Sequence, residues 1–423
     1  MTNATIPAGY KQTEVGIIPE DWGVESLGAI AQIERGKFTA RPRNDPKYYG
    51  GHIPFIQTGD VANSNGLITC FSQTLNEKGL KVSKVFPAGT LFFTIAANIG
   101  DIGFSDFDTA CPDSLVAIMP NQKINKFWLA QELKTRKRSF ESLATHNAQM
   151  NINLEKLKPY LLPIPRIEEQ TAIATVLSDV DALIASLNAQ IAKKRDIKTA
   201  TMQQLLTGKQ RLTGFGEGKS MKSSELGEIP EDWEVVPLSG MVDIRDGTHA
   251  SPKYKTEGIP LVTSKNLVGR IIDLSNASLI STEDADEINK RSKVHKGDIL
   301  MSMIGTIGSA ILVKDEPDFC IKNIALFKPK RINGQYLFCL MQSPFFQSYI
   351  ADRLDGGIQK FISLSVLRTL LIIHPPIDEQ EAIAGVLSAM DEEIAALEQR
   401  LAKTKAMKQG MMQELLTGRT RLV

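Results

Sequence analysis

Cysteine, histidine, aromatic side chains and net charge are all scarce in this 423-residue chain, and each shortage excludes something. The four cysteines (Cys70, Cys111, Cys320, Cys339) lie far apart with no C-x-x-C spacing, which excludes a zinc ribbon and a disulfide framework. They read as reduced, mostly buried thiols of a cytoplasmic protein. None of the five histidines (His52, His146, His249, His295, His374) stands at metal-ligand spacing from another histidine or from a cysteine. Aromatic residues make up 6%, too few for a carbohydrate-stacking surface or a stacking platform for single strands. Lys plus Arg is 49 against 48 for Asp plus Glu, so the chain is no small, uniformly basic nucleic-acid binder. A near-neutral sum still leaves room for local patches. Long hydrophobic runs are missing too. The greasiest stretch, 85–100, is broken by Pro87, Gly89, Asn98 and Gly100, whereas a membrane span needs roughly 18 apolar residues. Residues 1–10 lack the basic and then apolar pattern of a secretory signal, so none is expected.

Catalytic motifs are equally thin. Gly214-Phe-Gly-Glu-Gly-Lys-Ser220 resembles a phosphate-binding loop, but Thr213 stands where the first glycine belongs, and no strand precedes it. Pro112-Asp113 with Glu132-Leu-Lys134 meets the permissive pattern of a Mg²⁺ nuclease, two carboxylates for the metal and a lysine for the attacking water. The second half of the chain has Lys322 opposite Asp113 and nothing matching Glu132-x-Lys134. His374-Pro-Pro lacks the flanking residues of an amino-methyltransferase motif, and there is no G-x-S-x-G elbow. No catalytic residue, metal ligand or cofactor-binding residue is assigned.

What the chain does have is a repeat. Glu14-Val-Gly-Ile-Ile-Pro-Glu-Asp-Trp22 recurs as Glu225-Leu-Gly-Glu-Ile-Pro-Glu-Asp-Trp233, an offset of 211. Residues 165–212 recur as 375–422 with about half the positions identical, whereas the middles align only weakly. The length, too great for one ordinary domain at about 150 residues each, thus resolves into two units of about 210. Similar tails and dissimilar middles suggest one shared scaffold role and two recognition roles.

The tails read as long helices. Each begins at proline, with Glu168 and Glu169 or Asp378 and Glu379 in the first turn, where the helix dipole favours acid. Apolar residues follow at helical spacing: Ile173, Val176, Val180, Leu183 and Leu187, then Ile383, Val386, Met390, Leu397 and Leu401. These positions are expected to pair the two helices. Gly208 and Gly418 are natural terminators. A helix over 169–206 would span roughly 57 Å, which points to coiled-coil packing. A second row (Leu177, Ile184, Ile191; Leu387, Ile394) widens the stripe for packing on other chains or on the domains. A pseudo-two-fold between the halves makes the pairing antiparallel.

The expected architecture is therefore α+β: two mixed α/β domains in tandem repeat, separated by two long helices paired as an antiparallel coiled coil. The boundaries are a first domain over 1–163, a helical spacer over 164–213, a linker over 214–224, a second domain over 225–373 and a second spacer over 374–423. Positive charge recurs in both domains beside loops rich in Thr, Gln, Asn and Gly, side chains that reach phosphates and base edges. The candidates in the first domain are Arg35, Lys37, Arg41, Arg43, Gln57, Thr58, Asn98, Lys134 and Arg136. In the second they are Thr248, His249, Lys253, Ser264, Lys265, Asn266, Thr306 and Lys360.

The doubled opening motif ending in Trp22 and Trp233, and the doubled Pro-x-x-(Glu/Asp)-Glu-Gln-x-Ala-Ile-Ala helix closed by Leu-Leu-Thr-Gly, resemble the specificity subunit of type I restriction–modification systems. The resemblance covers nearly the whole chain. It implies two target-recognition domains, each reading half of a split double-stranded DNA site. It also implies two methyltransferase subunits and the restriction subunits as partners. S-adenosylmethionine, ATP and Mg²⁺ would then belong to those partners, and this chain would be non-catalytic.

Overall fold

A computed structural model describes residues 6–64, 66–144, 151–269, 271–354 and 360–423. The chain divides into two compact units, each assembled from separate stretches of sequence. The first takes Met1–Ser186 and Arg400–Val423, the second Leu187–Gln399. Each of the two long helices, Ile167–Leu205 and Ile377–Leu415, gives one part to each unit.

The first unit is built on a five-stranded sheet in the order Ala31–Arg35, Leu115–Pro120, Leu91–Thr94, Ile102–Ser105, Leu67–Ile68. Its central strands are apolar on both faces because both faces are covered. Alternation along the strand sends Leu91, Phe93, Val116 and Ile118 into one core and Phe92, Leu115 and Ala117 into another. The first core is completed by Trp128, Leu129 and Leu133 of the helix Lys126–Thr135, by Ile173 and Leu177, and by Leu415 and Leu416. A four-stranded sheet (Gln73–Leu75, Tyr49–Phe55, Thr109–Ala110, Val85–Phe86) carries much of the remaining chain.

The second unit repeats this plan. Its four-stranded sheet runs Val242–Asp246, Ile324–Pro329, Ile299–Ser302, Ala310–Leu312, beside a three-stranded one of Ser278–Ile280, Ile259–Val262 and Cys320–Ile321. Ile299, Met301 and Phe327 face the core shared with the long helices, and Leu300, Ile324 and Leu326 face the other. Each unit carries two short helices in succession: Lys126–Thr135 is followed by Lys137–Leu143, and Gly334–Gln342 by Pro344–Ala351. In the second, Ser343 caps the new helix and Pro344 occupies its first turn.

Each long helix has 39 residues, and the two run antiparallel. In the second unit the end of the first helix (Met202, Leu205) shares a core with the start of the second (Ile383, Leu387). Bridges from Lys194 to Glu393 and from Lys198 to Asp391, both 2.7 Å, join the same stretches. In the first unit Ile173 and Leu177 share a core with Leu415 and Leu416, and Lys408 reaches Asp181 at 2.7 Å. The buried row draws on both rows picked from the sequence. Val386, selected as a pairing position, is exposed, and Val176, Leu183, Met390, Leu397 and Leu401 are only half-buried. Ile173, Val180, Leu187 and Ile383 are buried, as are Leu177, Ile191, Leu387 and Ile394 of the second row. The reason is that the first turns of each helix pack on a domain core, and the broad surface they cover rotates the stripe away from a two-stranded seam.

The stretch taken as a linker contains the strand Met221–Ser224, paired with Gly227–Pro230 just as Tyr10–Thr13 pairs with Gly16–Pro19. The first long helix could cross a bilayer by length and composition alone. Its apolar residues are used otherwise, in the domain core and beside the partner helix.

Candidate nucleic-acid interface

Both units anchor a loop at the same place. Gly36 follows the strand Ala31–Arg35, and its backbone lies so close to Pro112 that a Cβ would stand 2.2 Å from the carbonyl oxygen. Gly247 follows the strand Val242–Asp246 and meets the Ile321 carbonyl in the same way, at 2.3 Å. Only glycine fits either position. The backbone frame is shared, but the side chains it carries are not.

In the first unit the frame is cationic. Arg35 and Lys37 are exposed on either side of Gly36, and Arg35 Nε donates to the Asp113 carbonyl at 2.6 Å. Arg43 holds the Asp113 carboxylate at 2.9 Å through both oxygens. Arg41 is exposed and donates to the Ala40 carbonyl at 2.7 Å. The corresponding place in the second unit holds Asp246, His249 and Lys322. His249 bridges Asp246 and Asn323, 2.7 Å from each, and Arg291 also binds the buried Asp246. His249 is thereby fixed in place, while Lys253, Lys265 and Lys360 are exposed. Thr248 is half-buried, its amide donating to the Ile321 carbonyl.

Two of the selected readers also hold local structure. Asn266 is buried: its Oδ1 accepts from the Thr263 amide at 2.9 Å, and its Nδ2 donates to the Asp273 carbonyl at 3.0 Å. Gln57 is half-buried and caps the short helix Thr58–Ala62, with the Asp60 carboxylate accepting from its amide at 2.7 Å and its Nε2 donating to Gln73. Short polar side chains favour caps as readily as base edges, and sequence alone does not separate the two uses. Thr58, in the first turn of that helix, is half-buried; Asn98 stays exposed.

Lys134 and Arg136 sit where the helix Lys126–Thr135 ends. Arg136 is tied to Glu132 by bonds of 2.7 and 2.9 Å, and burial, outweighing that partner, pushes the Glu132 carboxyl above its usual range. Burial likewise lowers the Lys134 ammonium, with Lys408 adding to the effect. The Lys134 Nζ lies over Gly66, and the stem of Lys137 lies over Gly100, next to Asp101, to which it is paired. The basic run therefore meets the loop that carries Asn98. It also borders a cleft of about 830 Å³ that includes Ile17, Met412 and Leu416.

The nuclease pattern does not assemble. Glu132 is fully buried on Arg136, while Asp113 is exposed on Arg43. Among the described residues no group of three or more His, Cys, Asp or Glu side chains is placed to hold a metal.

A cleft of about 730 Å³ in the second unit gathers Ser264, Lys265 and Thr306 with three residues not selected from the sequence, Tyr254, Asn276 and Asn323. Tyr254 is 57% exposed. The signal for it was present: an aromatic placed between Lys253 and Lys255.

Comparison with known proteins follows the sequence repeat. The family model for the type I restriction modification DNA specificity domain matches twice, at residues 19–194 and 230–406. The type I restriction enzyme MjaVIII specificity subunit of Methanocaldococcus jannaschii is 28% identical over 417 residues, 96% of this chain and 94% of that one. The EcoBI specificity subunit of Escherichia coli is 25% identical, covering 94% of this chain and 85% of its own. The crystal structure of the type I system S subunit from M. genitalium superposes with a TM-score of 0.58 at 14% identity, covering 93% of this chain and 96% of that one. With a family match over most of its length, repeated once in each half, this chain belongs to the type I restriction–modification DNA specificity family.

Proposed function

We propose that this chain reads an asymmetric, bipartite site in double-stranded DNA, one domain to each half-site, with the paired long helices setting the unread gap. It docks two methyltransferase subunits and the restriction subunits, and it works in the cytoplasm. S-adenosylmethionine, ATP and Mg²⁺ serve chemistry on those partners, and this chain supplies recognition alone.

The observation that carries the reading is the pair of equivalent anchors at Gly36 and Gly247. One backbone frame presents Arg35, Lys37 and Arg43 in the first unit and Asp246, His249 and Lys253 in the second. Two readers of one construction with different side chains favour two different half-sites. Long cationic side chains beside them supply phosphate contacts, which position the protein without specifying sequence. The remaining candidates for contact are Asn98, Lys134, Ser264, Lys265, Thr306 and Lys360, joined by Tyr254 and Asn276. Domains separated by paired helices favour half-sites about one helical turn apart, roughly 34–36 Å centre to centre.

Single-molecule methylome sequencing of a host that carries the system tests this. Two different half-sites around a fixed gap are expected. Two identical half-sites, or a contiguous site, would overturn it.

A further inference from the structure

One histidine of the second unit faces two oxygens at once. His249 Nε2 lies 2.7 Å from Asp246 Oδ2, and its Nδ1 lies 2.7 Å from Asn323 Oδ1. Carboxylate and amide oxygens only accept, so with both bonds made both ring nitrogens donate and the ring is the imidazolium. Taking one proton away leaves one donor. Asp246 still only accepts, so Nε2 keeps its hydrogen and Nδ1 becomes an acceptor. Nδ1 then keeps its bond to Asn323 only if the side-chain amide turns over and Nδ2 donates. The terminal torsion of asparagine is broad and roughly two-fold, so that turn costs little.

The surroundings hold everything else in place. The strand Val242–Asp246 brings Asp246 and Arg245 toward the ring, the helix Thr282–Ser292 brings Arg291, and the segment after Cys320–Ile321 brings Lys322. Arg291 binds the other oxygen of Asp246, so the buried carboxylate keeps a cation when the ring is neutral. Arg245 is committed to Asp243 and to the Arg291 carbonyl, and Lys322 Nζ donates to Ser251 Oγ at 2.7 Å. The Asn323 backbone is left-handed, with φ of 54°, and its amide donates to the Thr248 carbonyl at 3.2 Å. Its side chain thus turns on a fixed mount. Among the described residues Nδ2 has no hydrogen-bond partner, and Asn323 borders the cleft of about 730 Å³ with Tyr254, Lys265, Asp273 and Thr306.

We propose that Asn323 reads one base of the second unit's half-site and that His249 is its positioning residue, setting whether the amide offers a donor or an acceptor. The inference rests on the DNA-reading function proposed above. In the major groove a donor meets the keto oxygen of guanine or thymine, and an acceptor meets the amino group of adenine or cytosine. The charged ring leaves Nδ2 to the DNA and favours a keto base. The neutral ring leaves Oδ1 and favours an amino base. The first unit has no such device. Counted from its anchor between Gly36 and Pro112, the equivalent residues are Phe38 and Ser114, and neither titrates.

The test uses the full chain assembled with its methyltransferase subunits, on duplexes of its own methylome site with each base pair of both half-sites replaced in turn. Competition binding at about pH 6 and about pH 8.5 brackets the range in which histidines change charge. At one position of the second unit's half-site, the preference for a keto over an amino base should fall at least about fivefold at the higher pH. The first unit's half-site should show no such change. The two amide orientations differ by one proton, so the ratio moves by no more than about tenfold per pH unit. Comparing bases at one pH cancels the general effect of pH on affinity. His249→Gln should abolish the shift, and Asn323→Ala should abolish the preference at that position at both pH values. Base preferences that match at both pH values at every position overturn the inference while DNA reading stands, and this wild-type comparison needs no variant to fold. A shift that survives His249→Gln, or a preference that survives Asn323→Ala, overturns it as well. A wild-type complex that fails to bind its own site at either pH overturns the parent reading.

Discussion

Arg421 grips the carboxylate of Glu169, 252 residues away in sequence, with Nε at 2.6 Å and Nη2 at 2.8 Å. The same guanidinium holds Asp21, and Trp22 Nε1 donates to Glu169 at 2.9 Å. In the second unit Arg211 does this for Glu379 and Asp232, with Trp233 donating to Glu379 at 2.8 Å. Each arginine ends one repeat and closes the unit built on the other repeat's domain. Arg421→Ala leaves a fully buried glutamate without its cation, a loss of about 3–5 kcal/mol. Hydrogen exchange should show the loss in Tyr10–Pro19 and the start of Ile167–Leu205, with the second unit unchanged. Arg421→Met combined with Glu169→Gln should be far milder. Equal cost for the single and the double variant would show that the carboxylate was never dependent on this arginine.

The same clamps make the protein acid-sensitive. The hydrogen bond from Arg421 holds the Asp21 carboxyl below its ordinary 3.8, and Arg211 does the same for Asp232. A folded-state value below the unfolded one means the stabilisation is complete above about pH 4 and fades as pH falls through the depressed values. Both aspartates are partly exposed, so the effect is modest. In denaturant titrations the stability gap between wild type and Asp21→Asn should be constant from neutral pH down to about 4.5 and shrink below that. A gap that persists at pH 2.5 would contradict this assignment.

The clamps have no local signature in the sequence. The two long helices were legible because they rest on local signals: proline, first-turn acid, helical spacing and a terminal glycine; the repeat showed in the matching segments themselves, and the antiparallel pairing followed from the pseudo-two-fold it implies. Glu169 and Glu379 were seen only as dipole-favouring acids, since nothing local says that an arginine from the other repeat will reach them. The choice between Val386 and Leu387 was lost for a similar reason. Helical spacing shows that a stripe exists, but its centre is set by the domain surface it meets, and Leu387 lies in that core. At the reading face, residue type narrowed the search to loops without separating capping from contact, as Asn266 and Gln57 demonstrate.

Asn266 gives that distinction an experimental form. Asn266→Ala leaves the Thr263 amide and the Asp273 carbonyl without their partner, a cost of about 1–3 kcal/mol borne locally. The amides of Leu267–Ile272 should exchange faster, and binding should weaken without a change in the bases preferred. Thr306→Ala, at an exposed position, should leave exchange untouched and relax preference within one half-site. Relaxed specificity with normal exchange in Asn266→Ala would restore it as a reader.

The helices offer the sharpest check on the spacing role. The bridge from Lys408 to Asp181 belongs to the first unit, and the bridge from Lys198 to Asp391 to the second. Four residues inserted after Ala189 and four more after Arg400 leave every residue of both bridges on its original side of the insertion. One added turn lengthens a helix by about 6 Å, which is close to two base pairs at 3.4 Å. Methylome sequencing of a host carrying the doubly inserted chain should therefore return the same two half-sites with a gap about two base pairs longer. Inserting the four residues in one helix alone puts the pair out of register and should reduce assembly instead. Altered bases around an unchanged gap would show that something other than these helices measures the distance.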